Sequence, residues 1–409
     1  MLFKKGELKI LWPFYLNGFM IGLSFMIYPF LVIYLRGLGF SFLQIGIIAA
    51  AYDLGMVLFE VPTGAFADSV SRKTSVIMGY ALAAAPFTLI YFFSDFYAIL
   101  ILWVLGAIGM TFVSGADEAW VIDNLKHHKR KDLQHEYFIK NSSIASISAI
   151  FSPFIGALLV KAGLIRVLWL ILGGGFFLIA LMLAAFAKEL YKPQAVNFKK
   201  AFSRTFRNSG EAVRYVKSNR HIFLFIIGST FIALTMIGEW GWQPFLVKLG
   251  LPTYALGWVY SILAIGWVIV PFLSKLFLKM ELRKAVAIMT GLRVLLLGAI
   301  MFVFPPFFLI GASIMIFDGS FKSMQEPLLR TYLHKWIPTN IRATLVSINN
   351  IGTRLIFAMG EIAGGALLDA FGPQKVIALG AVFGIFAIAT FWKIGKQKLA
   401  KASAKASLG

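Results

Sequence analysis

Apolar residues run in long blocks along this chain, and short charged segments separate the blocks. Blocks of about 20 residues suit helices that cross some 30 Å of hydrocarbon. Twelve spans are expected, over roughly 8–35, 41–67, 73–93, 95–124, 136–160, 164–187, 221–247, 253–278, 284–304, 306–334, 343–368 and 373–393. The one long polar stretch, Lys188 to Arg220, divides them six and six. The pattern therefore predicts an N-terminal six-helix half (1–187), a central linker (188–220) and a C-terminal six-helix half (221–409). Within the linker, Phe202, Phe206 and Val213 fall on one helical face, ringed by Lys200, Arg204, Arg207, Arg214 and Lys217. That predicts an amphipathic helix over 199–216 lying on an anionic leaflet, with a solvated linker as the alternative.

Composition changes the solvent in the picture. The chain is 59% apolar and 14% charged, against about 45–50% and about 25% in soluble domains. No single soluble core buries so much apolar surface, so lipid is the solvent and the fold class is an all-α membrane protein. The net charge of +21 would suggest nucleic acid in a soluble protein. Here the basic residues sit between apolar blocks, which points to a membrane surface and no nucleic-acid partner. The absence of cysteine excludes disulfides and thiolate metal sites. Lys4 and Lys5 precede the first apolar run, which continues to about Leu35 without a small-residue cleavage site, so it is read as a span that stays.

Charge also sets the orientation. With the N-terminus in the cytoplasm, all but ten of the 39 Lys and Arg residues fall in tails and loops on that side. Arg36, Lys161, Arg166, Lys248 and Lys375 fall outside, and Lys140, Arg293, Lys322, Arg330 and Arg354 within spans. The positive-inside rule then places both termini and the linker in the cytoplasm. The halves also repeat. Pro29-Phe30-Leu31-Val32 recurs as Pro244-Phe245-Leu246-Val247, and an offset of 208 links Glu118 with Glu326, Asn141 with Asn349 and Gly156 with Gly364. Repeated six-span units place a substrate site at their interface near mid-membrane.

The loop after span 2 reads Gly64-Ala-Phe-Ala-Asp68-Ser-Val-Ser71-Arg72-Lys73. It resembles the loop 2–3 signature of the major facilitator superfamily, with Ser71 in place of a second glycine. Asp68 at a helix end can pair with Arg72 or cap a neighbouring helix, forming a charged latch on the cytoplasmic side. In the second half only Arg283-Lys284 remain of this motif. Span 5 carries Ser148-x3-Ser152-Pro153-x2-Gly156-Ala157, similar to a degenerate form of the glycine–proline motif of the family's antiporters. Ordinary close packing around a proline kink explains the same residues. With Glu60-Val-Pro-Thr-Gly64, the pattern resembles bacterial drug/proton antiporters. The resemblance implies the major facilitator fold, a monomer, a small-molecule substrate, and cavity-lining spans 1, 4, 7 and 10.

Ionisable groups at membrane depth are costly and mark functional sites. The predicted spans hold nine acids (Asp53, Glu60, Asp117, Glu118, Asp123, Glu239, Asp318, Glu326 and Glu361) against five bases. That excess must be protonated, matched by a cationic substrate, or hydrated. Asp318, Lys322, Glu326 and Arg330 recur every four residues, predicting a self-neutralising stripe on span 10. Arg354 and Glu361 share a face of span 11 and extend the network. Asp117 and Glu118 are adjacent acids with no base in their span. Desolvation and mutual repulsion favour the neutral form of such a pair, as a proton-coupling site requires. Asp53 and Glu239 are further candidates. Glu239 sits beside Trp240 and Trp242, which suits a lipophilic cation or an ordinary interfacial belt.

Neither a phosphate-binding loop nor a metal or cofactor motif is present, so neither ATP-driven transport nor enzyme chemistry is expected. The expected function is proton-coupled efflux of a lipophilic or cationic compound across a prokaryotic cytoplasmic membrane. The alternatives are a proton symporter that takes up a metabolite and a lipid flippase.

Overall fold

The computed structural model describes residues 3–190, 214, 216, 218–336 and 342–394. The expected linker helix over 199–216 lies almost wholly outside them. The long elements among the described residues are all helices, as the composition requires: with no water in the hydrocarbon, a spanning backbone must satisfy its own hydrogen bonds.

In chain order the helices are α1 (Glu7–Ser24), α2 (Leu31–Gly37), α3 (Phe42–Ser69), α4 (Arg72–Leu89), α5 (Phe96–Val113), α6 (Ala116–His127), α7 (Gln134–Lys161) and α8 (Val167–Phe186). The second half continues with α9 (Arg220–Leu234), α10 (Trp242–Lys248), α11 (Ala255–Ile269), α12 (Leu282–Ala299), α13 (Phe308–Trp336), α14 (Arg342–Phe371) and α15 (Pro373–Trp392). Among the described residues, nine helical stretches are long and apolar enough to cross a membrane. Three more helices, α4, α13 and α14, stand where spans 3, 10 and 11 were expected. Each is diluted by charged or polar residues, such as Arg72 and Lys73 on α4 and Asp318, Lys322 and Glu326 on α13.

Several expected spans are not continuous α-helices; the eighth, for example, continues from α11 into a 3-10 stretch, Val270–Phe277. The first passes through a 3-10 segment, Phe25–Phe30, around Pro29, whose ring removes a backbone donor. The fourth breaks between α5 and α6, and the seventh between α9 and α10, with Glu239–Gly241 as a 3-10 turn in the gap. Discontinuous helices at membrane depth are tolerated only where protein or a cavity meets the freed backbone.

The chain forms two compact units. The first holds α1, α2, α4 to α8, α3 from Ile48 onward, and residues 253–261 at the start of α11. In it α4 packs on α5 and α8, and α1 packs on α7 and α8. The α4–α5 crossing needs glycine: a Cβ on Gly79 would lie 2.7 Å from the Gly109 carbonyl, and one on Gly109 would lie 2.6 Å from the Ala83 nitrogen. The span 5 motif faces the first span. Ser152 Oγ donates to the Leu23 carbonyl at 3.1 Å, and a Cβ on Gly156 would meet the Met26 carbonyl at 2.9 Å. Pro153 lies inside α7, and its carbonyl meets Gly257. On α8, buried Phe176, Ile179 and Leu183 alternate with exposed Phe177, Leu178 and Leu181. An exposed apolar face of that kind is lipid-facing surface.

The second unit holds α9, α10, α12 to α15, the rest of α11, and residues 41–47 at the start of α3. Its core gathers Phe225, Leu282, Val286, Met289, Met324, Leu328, Tyr332 and Phe391. The first turn of α3 is fully capped. Ser41 and Gln44 exchange side-chain-to-backbone hydrogen bonds at 3.1 and 2.9 Å, a capping box. Asp369 accepts from the Phe42 and Leu43 amides at 2.9 and 2.8 Å.

Candidate functional site

Span 4 breaks at Ser114-Gly115. Gly115 has φ +76°, a left-handed conformation that costs other residues roughly 1–2 kcal/mol. The chain turns there, and α6 starts afresh with Asp117 and Glu118 in its first turn. A break frees the last carbonyls of α5, and each needs a donor. The Met110 carbonyl accepts from the Ser114 amide at 3.0 Å. Thr63 Oγ1, from α3, shares its proton between the Phe59 carbonyl of its own helix at 2.8 Å and the Thr111 carbonyl at 3.1 Å. Ser75 Oγ, from α4, donates to the Phe112 carbonyl at 2.7 Å. Both hydroxyls are buried. The break is therefore held by side chains from two neighbouring helices. Thr63→Val and Ser75→Ala are each expected to cost about 1 kcal/mol, read as lower melting temperatures in detergent.

The α6 N-terminus points positive dipole ends at its own acids, which favours their charged form. Burial and the adjacency of two carboxylates oppose it. Among the described residues neither Asp117 nor Glu118 makes an ion pair. Glu118 is exposed and Asp117 half-buried. Asn17, 1% exposed on α1, donates weakly from Nδ2 to Asp117 Oδ2 at 3.4 Å. Asp117 Oδ1, Asn17 Oδ1, Asn141 Oδ1 and the Tyr80 hydroxyl are all buried without a hydrogen-bond partner. Tyr80 faces Asp117 and lies near hydrogen-bonding range of Asn17, while Asn141 packs against the next residue of α1, Gly18, where a Cβ would collide with it.

The loop 2–3 signature sits at the far end of the same α6. Arg72 pairs with Asp123 and donates to the Ala119 carbonyl at 2.7 Å. Its contact with Asp68, at 3.4 Å, is the longer one. Lys73 Nζ donates to the Ala184 and Ala187 carbonyls at the end of α8, at 3.0 and 2.7 Å. Gly64 has open space around its Cα. The motif thus ties α4 to α6 and α8, with Asp123 as the main partner of Arg72.

In the second unit the expected stripe along α13 is redistributed. Asp318 pairs across helices with Arg293 of α12, at 2.9 and 3.2 Å, and not with Lys322. Arg293 is 1% exposed. It also donates to Gln325 Oε1 at 3.2 Å, and Gln325 donates to Thr290 Oγ1 at 2.8 Å. Only Glu326 and Arg330 keep the helical spacing, paired at 3.0 Å and largely exposed. Lys322 faces Glu239 without a direct salt bridge. Arg354, Glu361 and Asp53 are half-buried, each in further interactions.

Two features escaped the sequence. Glu7, wholly buried, accepts from Lys140 Nζ at 2.8 and 2.9 Å and from the Tyr15 hydroxyl at 2.7 Å. Lys140 reaches Glu136 as well, at 3.2 Å. The other is the pair of hydroxyls at the span 4 break. Thr63 sits one residue before Gly64 in the quoted motif, but nothing in its sequence neighbourhood points to Thr111.

Comparison with known proteins supplies the lineage. The family model described as Major Facilitator Superfamily matches residues 14–317. The chain is similar to the uncharacterized MFS-type transporter YxaM of Bacillus subtilis (strain 168), 22% identical over 397 residues, covering 94% of this chain and 96% of that one. Among solved structures it resembles the nucleoside transporter NupG at a TM-score of 0.77, with 14% identity over 94% of this chain and 99% of that one. It also resembles a D-xylose–proton symporter at 0.69, with 11% identity over 96% and 99%. At such identities the structural likeness shows the fold.

Proposed function

For a chain that belongs to the Major Facilitator Superfamily, and is thus a multi-span transporter of the cytoplasmic membrane, we propose proton-coupled antiport of an organic cation by alternating access. One observation carries the reading: two adjacent carboxyls at a helix break, one of them half-buried with a buried oxygen, and no basic partner among the described residues. Charging both without a counter-charge costs desolvation and repulsion. A proton or a cation relieves that cost equally, so either displaces the other. Mutual displacement at one site is what an exchanger needs. Asp117 holds the proton in this scheme, and Glu118, more exposed, meets the arriving cation.

The basic bias of loops and tails supports cytoplasmic termini. It places the Arg72–Asp123 latch on the cytoplasmic side, where separating α4 from α6 accompanies a change of access. Asp53 and Glu239 are secondary candidates for cation contact.

The test uses proteoliposomes with a trapped pH dye and an imposed proton gradient. Adding a cationic substrate is expected to drive protons opposite to the cation. Protons moving with the solute would indicate the symporter instead, and transport indifferent to the gradient would remove coupling altogether.

A further inference from the structure

We infer that the substrate is a cation bearing several N–H donors, such as an amidinium or guanidinium, and that Asn17, Asn141 and Tyr80 recognise those donors. The inference rests on the reading of the Asp117–Glu118 pair as the cation's counter-charge and names what that reading leaves open. The warrant is the set of orphaned atoms. Asn17 Oδ1, Asn141 Oδ1 and Asp117 Oδ1 are acceptors; the Tyr80 hydroxyl accepts or donates. Asn17 and Tyr80 are 1% and 0% exposed, so bulk water does not reach them freely. Buried polar atoms without partners are rare and costly, and the three that face one another, on Asn17, Asp117 and Tyr80, with Asn141 beside the next residue of α1, call for a shared explanation.

The ionised form of Asp117 fixes the orientation of Asn17. Its Nδ2 donates to Asp117 Oδ2, and reversing the amide would set two oxygens face to face. Asn17 Oδ1 is therefore a true free acceptor. The acceptors are two amide oxygens and a carboxylate pair, and neither carboxylate has a basic partner among the described residues. Their complement is positive and rich in donors. A quaternary ammonium supplies the charge but no N–H, so it leaves every orphan unsatisfied. An amidinium supplies the same charge and four N–H groups in one plane. A site that hydrogen-bonds its ligand rejects the analogue lacking those donors strongly, because its own polar atoms stay unpaired.

The experiment compares benzamidinium with phenyltrimethylammonium, two aromatic monocations, by calorimetric titration of the purified full-length protein in detergent. Benzamidinium is expected to bind at least about tenfold more tightly. Tyr80→Phe and Asn17→Leu are expected to shrink that preference. Tyr80→Phe carries a second signature. It removes an orphaned hydroxyl, so the melting temperature of the unliganded protein should hold or rise while benzamidinium affinity falls. A merely structural tyrosine would lose stability instead. Equal affinities, a reversed order, or no binding of either compound would overturn the inference, and the wild-type comparison decides this even where a variant fails to fold. Preferential binding of benzamidinium without proton movement would leave the inference standing and remove the antiport reading.

Discussion

Asp117→Asn is expected to reduce gradient-driven accumulation of the cation to background, at least about 100-fold below the native protein. Asparagine has nearly the same shape and still accepts from Asn17 Nδ2. It cannot take up a proton or carry a charge, so that position becomes permanently neutral and Glu118 is left as the only carboxyl of the pair. The melting temperature should change little, because Asp117 makes no ion pair among the described residues to lose. Activity and stability therefore separate in this variant. Glu118→Gln should do less, since its side chain is exposed and water screens its charge. Uptake driven by an imposed pH step in proteoliposomes checks both variants. Accumulation that survives Asp117→Asn would move the coupling site elsewhere, with Glu239 the next carboxylate to examine.

Arg293→Met is expected to produce the largest stability loss in the second unit. Asp318 is 7% exposed and would keep a buried charge with its bidentate partner gone. Gln325 Oε1 would lose its donor at the same time. Breaking a buried pair from one side costs about 3–5 kcal/mol, whereas replacing both members with apolar groups is often neutral. The double variant Arg293→Met with Asp318→Leu should thus recover most of the loss. Thermal denaturation in detergent, run as a double-mutant cycle, reads the difference. If the double variant were as unstable as the single one, the pair's role would be packing and not charge compensation.

These two sites show what a sequence makes legible. Helical character followed from apolar blocks of membrane length. The acidic pair on span 4 stood out because nothing basic accompanies it within the span. The Arg72 latch was legible as local spacing, although its main partner Asp123 lies on another helix. The break at Ser114-Gly115 was not legible. Serine and glycine are ordinary in membrane helices, and the hydroxyls that stabilise the break come from positions 63 and 75. The stripe on α13 misled for a related reason. Spacing by four identifies neighbours on one helix but is blind to Arg293, 25 residues away, which holds Asp318 more closely. Glu7 carries no sequence signal beyond its place near Lys4 and Lys5. Its burial depends on Lys140, 133 residues distant. In each case the missing information was a pairing between helices, which periodicity does not encode.

The central claim is that a proton and a cation compete for the Asp117–Glu118 pair. It is tested most directly by titrating benzamidinium into purified protein in weakly buffered detergent solution and measuring protons released. The account predicts proton release that tracks cation binding and disappears in Asp117→Asn. Saturable binding with no proton released by the native protein would contradict it.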